Sequence, residues 1–352
     1  MPMIAFASCI SAETNPTQRV WLHVAAHEPD WLILGGDNMY MDLWPNMYRS
    51  KWWDSRTFAN EMWHRYALQF SVRNFRTLVS AVPSGQVLGV WDDHDFAWND
   101  CFGTDPDFGM PEKRKIAACL FQRFFEVLNQ RPLPTDLPQI GPLDLAHPSF
   151  ADRDVYRAAT IGPLRVLLCD GRTYREDVAS AGRTASLLGA VQEAWLFNEL
   201  SKPGPFLLVT GSTMTDGSDQ SWDVHRDFFD QRFLPAVAGK TVLFLAGDVH
   251  ENRLPPRTRD WPVEIVSSAA AGIPLKRNFA LIDVSSTVAD VFLYNWGRIE
   301  HTGSVDLATG AFSTTMSALL DEDPVPTEQE TIIQRQQALE ALRALERRRR
   351  SP

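Results

Sequence analysis

Short apolar runs that end in small or acidic side chains recur along the chain. They are MIAFASC (3–9), DWLILGGD (30–37), QVLGVWDD (86–93), LRVLLCD (164–170), PFLLVTGS (205–212) and TVLFLAGD (241–248). Each is rich in Leu, Val, Ile or Phe and too short for an ordinary helix, so the pattern predicts buried strands. Amphipathic stretches alternate with them: Ser50–Val82, Met110–Asn129, Leu187–Leu200 and Gln220–Ala238, the last with a proline near its end. Strands alternating with helices predict an α/β fold on largely parallel sheet. Three further strands come late, WPVEIVSS (261–268), NFALIDVSS (278–286) and VADVFLYN (288–295), the last two forming an antiparallel hairpin over Ser285–Thr287. A meander after α/β units implies a mixed sheet or two stacked sheets. The proline-rich stretch Arg131–Pro148 reads as a surface loop, and no repeat or interdomain linker interrupts the chain up to residue 320.

Beyond that point the pattern changes. Asp321–Thr327 is acidic and proline-bearing, a linker, and Glu328–Arg350 is a continuous helix former with Ile332, Ile333, Leu339, Leu342 and Leu345 on roughly one face. The terminal Arg347–Arg350 complements a helix macrodipole. Such a helix suits oligomerisation or partner binding.

Composition narrows the class. Of 352 residues 34 are basic and 44 acidic, a formal charge of -10, with 44% hydrophobic and 22% charged. That is a soluble globular chain large enough to bury a real core. The acidic balance excludes a nucleic-acid-coating role, which needs a basic face. Four scattered cysteines, Cys9, Cys101, Cys119 and Cys169, without a CxxC pair, form neither a disulfide framework nor a zinc knuckle. Cys119, in an apolar helical run, reads as a core residue. Trp44, Trp52, Trp53, Trp63, Trp91 and Trp98 crowd one stretch, and a packed aromatic core explains them better than a pocket wall. The start of the chain lacks a charged region and an apolar run of signal length, and no uncharged run spans a bilayer, so the expected location is cytoplasmic.

The chemistry sits at the strand ends. The predicted strands deliver Cys9; Asp37, with Tyr40 three residues on; Asp92, Asp93 and His94; Asp170; and Asp248, with His250 two residues on. Ligands of α/β sheets lie outside the carboxyl ends of the strands. One acid at a strand end is usually a turn or helix cap. So many on one edge, with histidines at short offsets, would repel one another unless a cation sat among them. Thiolate with phenolate suits a highly charged ion such as ferric iron, and carboxylates suit calcium, magnesium or manganese.

The strings GGDNMY (35–40), WDDHD (91–95) and GDVH (247–250) resemble the calcineurin-like metallophosphoesterase superfamily. Within it the chain is similar to the PhoD-like alkaline phosphatase and phosphodiesterase family. The likeness rests on FASC at the first strand, GDNMY, WDDHDFAWND (91–100), LLCDGRTYRE (167–176), LLGAVQEAWLFNEL (187–200) and SWDVHRDFF (221–229), in order between about residues 4 and 255. It departs from the family pattern at Asp95, where the family has Glu, and at the strand end VTGST (209–213), where the superfamily has a metal histidine.

The resemblance implies a four-layer αββα sandwich of two mixed β-sheets over residues 1–320, with a helical tail over 321–352. It implies a ferric ion held by Cys9, Asp37, Tyr40 and His250, with Asp37 bridging to a second ion, calcium (or manganese, magnesium or zinc), served by Asp93 and Asp248. Asp92 belongs to this group if it, rather than its neighbour, points inward. His94 would assist the leaving oxygen, and Asn99 and Arg172 are candidates for contacting phosphate, with a structural ion pair the alternative for Arg172. His225 reads as a surface or packing histidine. The implied activity is hydrolysis of a small-molecule phosphoester by in-line attack of a metal-held hydroxide. A purple-acid-phosphatase-like monoesterase with two transition metals and a non-catalytic phosphate- or partner-binding module are the alternatives.

Overall fold

The computed structural model describes residues 1–43, 49–104, 111–139, 154–215, 218, 220–256, 261–271 and 276–316. Every predicted strand is present. Strands β1 (Met3–Ala7), β2 (Trp31–Gly35) and β3 (Val87–Val90) pair in parallel. Strands β4 (Arg157–Ile161), β5 (Leu164–Leu168), β6 (Phe206–Thr210), β7 (Val242–Ala246), β8 (Asn252–Arg253) and β9 (Val263–Ser267) form a second sheet in the order β4-β5-β6-β7-β9-β8. The late strands β10 (Phe279–Val284), β11 (Val288–Asn295), β12 (Arg298–Asp306) and β13 (Phe312–Met316) return to the first sheet, whose order is β13-β12-β11-β10-β1-β2-β3. The hairpin over Ser285–Thr287 pairs Val284 with Ala289, and β10 runs antiparallel to β1, so both sheets are mixed.

Patterning explains the layers. In β1 and β2, buried on both faces, one set of side chains (Ile4, Phe6 and Ile33) meets Val166, Leu168, Leu207, Val209, Leu243 and Leu245 of the other sheet. Most of this seam is branched aliphatic. The opposite faces meet helices. Ala5, Ala7, Leu32 and Leu34 pack under α1 (Val20–Ala25), α2 (Ser55–Ser71), α3 (Arg73–Ala81) and α5 (Pro111–Leu128), while the four-residue α4 (Asp93–Phe96) follows β3. Leu167, Leu208, Phe244 and Val266 pack under α7 (Gly189–Leu200) and the helical segment after Trp222; the short α6 (Val178–Ala181) buries nothing. The architecture is the αββα sandwich, its central seam between the two sheets.

The differences from expectation have local causes. Ser50–Val82 is not one helix: a 3₁₀ turn (Arg49–Trp52) precedes α2, and Val72, with φ -64 and ψ 113, separates α2 from α3. Gln220–Ala238 divides into a 3₁₀ turn (Trp222–Val224), α8 (Arg226–Phe228), a π-helical turn (Phe229–Phe233) and α9 (Leu234–Val237), with a proline in the first turn of α9. The wider π turn keeps Phe228, Phe229 and Phe233 all buried. Strands β4, β12 and β13 carry exposed or half-exposed positions and so lack an apolar run. Of the crowded tryptophans, Trp63, Trp91 and Trp98 are buried in the core, whereas Trp52 is 79% exposed; Trp44 lies outside the described residues. All four cysteines are free and buried. The described part of Arg131–Pro148 has no helix or strand, and the linker Asp321–Thr327 and helix Glu328–Arg350 lie outside the described residues. No helix among the described residues is long and apolar enough to cross a membrane.

Trp222 tests the outer layer. Its ring is fully buried, perpendicular to Phe244 at 5.0 Å and beside Phe233 at 5.3 Å. Truncating a buried aromatic removes its transfer energy and leaves a cavity, so Trp222→Ala is expected to cost ~3–5 kcal/mol in chemical denaturation. A loss below about 1 kcal/mol would show that this layer collapses to fill the space.

Candidate metal centre

Parallel strands bring their carboxyl ends to one edge, and the first residues past them decide what is displayed there. Cys9 and Asp37 follow β1 and β2, Asp92–His94 follow β3, and Asp248 and His250 follow β7. Four of these residues hold the left-handed backbone region without being glycine: Cys9 (φ 56), Asp37 (φ 50), Asp248 (φ 71) and His250 (φ 55). Each such conformation costs about 1–3 kcal/mol and persists only where its surroundings enforce it. Here the turns are tied to one another: Cys9 N–H donates to Gly36 O at 3.1 Å, Ile10 N–H to Asp37 O at 2.8 Å, and Ala270 N–H to Ser8 O at 3.0 Å.

The strained turns converge their side chains. The Cys9 thiol donates to Asp37 Oδ2 at 3.3 Å, the Tyr40 hydroxyl donates to the same oxygen at 3.2 Å, and Tyr40 Oη lies 3.3 Å from His250 Nε2. Two groups of ligand atoms each fall within 4.8 Å of one another, Cys9 with Asp37 and His250, and Asp37 with Asp93 and His94. Asp37 belongs to both. Its Oδ1 is buried and has no hydrogen-bond partner. Such an atom in a polar cluster calls for a partner, and thiol, carboxylate, phenol and imidazole donors together fit a cation.

Electrostatics agree. Burial pushes Asp37 well above the ordinary carboxyl range, and Cys9 beside it adds to the rise. Burial likewise raises Tyr40 well above an ordinary phenol, helped by Cys9 and Asp37, and raises the Cys9 thiol. All three are driven toward their neutral forms, because burial and their mutual negative charge outweigh the partial relief that His94 gives Asp37. Asp93 behaves oppositely. Burial alone would raise it, but His94, Arg172 and the backbone N–H groups of Asp100 and His94 bring it down to about 2. Burial would discharge His94, yet the carboxylates of Asp93, Asp37 and Asp42 overcome that and hold its proton well above the usual imidazole range. Burial, only partly opposed by Asp248, keeps His250 below that range.

Asp42 escapes a reading confined to strand ends. Its Oδ1 lies 2.6 Å from His94 Nδ1 and its Oδ2 accepts the Asn99 N–H at 2.8 Å, so one carboxylate fixes both residues. The Tyr40 ring stacks obliquely on His94 at 4.2 Å. Ser268 is the other omission: its Oγ lies 3.0 Å from Cys9 Sγ and accepts the His250 N–H at 3.1 Å. Asp42 was legible as a further acid in GDNMYMD; a serine after β9 gives no such signal.

The remaining candidates are placed as follows. Asp93, not Asp92, joins the cluster around Asp37. Asp92 Oδ1 accepts Arg172 Nε at 2.5 Å, and Asp92 is the residue at the N-cap of α4. Arg172 is fully buried and pairs with Asp92, the structural ion pair that stood as the alternative to phosphate contact. Asn99 is exposed at the rim, its amide donating to Asp100 Oδ2 at 2.6 Å. Asp248 is half-buried at the same edge, its carbonyl 3.8 Å from Cys9 Sγ, but its carboxylate falls in neither ligand group. Asp170 is a turn cap: its Oδ1 accepts Trp91 Nε1–H at 2.7 Å and the N–H groups of Arg172 and Thr173 at 3.0 Å. His225 is a packing histidine, not a surface one: it is buried, its Nδ1 lies 3.1 Å from Ala185 O, and burial with Arg175 nearby lowers it to about 4.

Residues 4–270 match the family described as PhoD-like phosphatase. The chain belongs to the PhoD-like phosphatase family. Among curated proteins it is 28% identical over 281 residues to alkaline phosphatase D of Bacillus subtilis (strain 168), a match covering 70% of this chain and 45% of that protein. The chain thus spans about half the length of the curated relative it matches. A solved structure of PhoD superposes with a TM-score of 0.65 at 19% identity, covering 96% of this chain and 76% of the other. A dimetal phosphatase from Danio rerio gives 0.52 at 10% identity, covering 90% and 99%. Both share the fold of this PhoD-like chain.

The charge arrangement predicts a pH response. Asp37 and His94 are both raised in the native state, so the folded chain binds protons more tightly than the unfolded one. Their stabilisation is fully present below the unfolded pKa values, ~3.9 for Asp and ~6.5 for His, and is lost as pH rises through the folded ones. His225 and His250, both lowered in the fold, oppose this trend below about pH 6.5 but are largely neutral in both states above it. The melting temperature of chelator-stripped protein is therefore expected to fall as pH is raised from about 7 to 9, and an added di- or trivalent cation is expected to flatten the slope. A stripped protein whose melting temperature does not change over that interval would contradict the assignment.

Proposed function

We propose that this PhoD-like chain is a metal-dependent hydrolase of small-molecule phosphoesters, mono- or diesters, with residues 1–320 as its catalytic unit. The observation that carries the reading is Asp37, a buried carboxylate shared by two ligand groups, with one oxygen lacking a partner. Cys9, Asp37, Tyr40 and His250 would hold ferric iron. Asp37 and Asp93, with Asp248 beside them, would hold a second ion, calcium by preference, with manganese, magnesium or zinc as alternatives. When bound, such a pair supplies charge that neutralises phosphoryl oxygens and acidifies water for attack. The chain's own residues do the rest. Asp42 orients His94 through Nδ1, and His94, which holds its proton against burial, delivers it to the departing oxygen. Asn99, exposed on the rim with its backbone N–H held by Asp42, would donate to the phosphoryl group.

Asp37→Asn is expected to lower kcat/KM for bis(p-nitrophenyl) phosphate more than ~100-fold, because even outer partners of a metal ligand are worth 10–100-fold. Retained activity would reject the site. The iron assignment has its own check. Oxidised, iron-replete protein is expected to show a visible charge-transfer band that Tyr40→Phe abolishes, and elemental analysis is expected to find one iron per chain. A colourless protein holding two other transition metals would overturn that assignment and leave hydrolysis standing.

A further inference from the structure

Arg172 has no part in the hydrolysis described above, yet its guanidinium is fully buried behind the site. Nε donates to Asp92 Oδ1 at 2.5 Å, one Nη to Gln220 Oε1 at 2.6 Å, and the other to Ser212 Oγ at 3.3 Å while lying 3.9 Å from Asp93 Oδ1. Arg175 reinforces this from behind: it donates to Ser212 Oγ at 3.0 Å and to the backbone and side-chain oxygens of Gln220 at 2.9 and 3.0 Å. Asp92 has equally little freedom. A Cβ on Gly211 would stand 2.5 Å from Asp92 Cγ, and one on Gly36 2.8 Å from Asp92 Cβ, so the side chain is wedged between the ends of β6 and β2. The helix that starts at Asp93 is only four residues long. A single turn cannot set its own direction, because nucleation costs more than one turn of hydrogen bonds returns. Its direction is set by residues beyond it, Asp92 at its N-cap and Asn38, whose N–H donates to Asp95 Oδ1 at 3.0 Å, while Asp95 Oδ2 accepts the Asp92 N–H at 3.1 Å.

We infer that Arg172 and Asp92 form a positioning pair which, without contacting substrate, holds the first turn of α4 so that Asp93 and His94 face Asp37. The inference rests on the two-cation reading. The two charges are buried together, and the planar fork of arginine engages Asp92 while standing beside Asp93. Lysine keeps the charge but cannot span those partners.

The test uses the full chain, stripped with chelator and titrated with manganese by calorimetry, with kcat and KM measured on bis(p-nitrophenyl) phosphate. Arg172→Lys is expected to weaken uptake of the ion ~10–100-fold, as loss of a group that orients a metal ligand does. At saturating manganese its KM is expected to stay within about twofold of wild type, because the ion pair acts on the site and not on the ester. Gly211→Ala, which presses on Asp92 without changing a charge, is expected to weaken uptake in the same way and covers the case in which the arginine variant does not fold. Unchanged ion affinity in a folded variant would overturn the inference. So would a raised KM at saturating ion with affinity intact, the signature of a phosphate-contacting arginine. A wild-type chain that takes up no manganese, calcium or iron would overturn the two-cation reading, and this inference with it; wild-type uptake matched by the variants would overturn the inference alone.

Discussion

Negative charge held out of water must find positive charge, and this chain places several acids where two sheets meet. Two unit charges about 4 Å apart interact by roughly 4 kcal/mol at the effective dielectric of a protein near its surface. That is a large share of a total stability of about 5–15 kcal/mol. The two halves of the site meet the demand differently. Around Asp93 the protein supplies its own cations, His94 and Arg172, and Asp93 ionises readily. Around Cys9, Asp37 and Tyr40, no ion pair with lysine or arginine is present among the described residues, and all three are pushed toward neutrality. An acid set that includes a thiol and a phenol is stabilised most by a small, highly charged ion, which can convert both to anions.

The scaffold explains how such a cluster is tolerated. β1 and β2 are buried along nearly their whole length, and aliphatic side chains fill the seam between the sheets. That burial can offset four left-handed residues at the edge, each costing about 1–3 kcal/mol. Close approach of the two sheet ends also depends on absent side chains. A Cβ on Gly247 would stand 2.5 Å from Ser8 Oγ, which ties the turn after β7 to the turn after β1. Cys9 and Asp248 are therefore neighbours because of how their turns pack, not because of their own side-chain chemistry.

Most of the architecture was legible in the sequence because its strands are buried and nearly continuous in apolar residues. The strand ends carrying Cys9, Asp37, Asp93 and His250 were legible for the same reason: a buried run that stops at an acid marks the sheet edge. What escaped has a physical cause. Strands β4, β12 and β13 pair through the backbone with few buried side chains, so no hydrophobic period announces them. The break at Val72 lies within an amphipathic pattern that continues across it. Asp92 and Arg172 illustrate a different limit. Adjacent aspartates look alike in sequence, and only the fold shows one turned toward Asp37 and the other paired with an arginine 80 residues away.

Asp42 shows how acid chemistry can be kept distinct within one crowded site. It forms no part of either ligand group, and its two oxygens are already committed to His94 and to the backbone at Asn99. Because Nδ1 faces Asp42, Nε2 is the ring nitrogen left to exchange a proton with a ligand. A carboxylate at Nδ1 also makes the imidazolium more stable, which opposes the cost of burying it. The histidine's proton is thus sustained by Asp42, Asp93 and Asp37 together, and any cation that draws on Asp37 and Asp93 leaves Asp42 as the partner that keeps the ring oriented. On the proposed reading, metal binding and proton delivery would be separable functions of neighbouring carboxylates, with Asp37 and Asp93 serving the first and Asp42 the second.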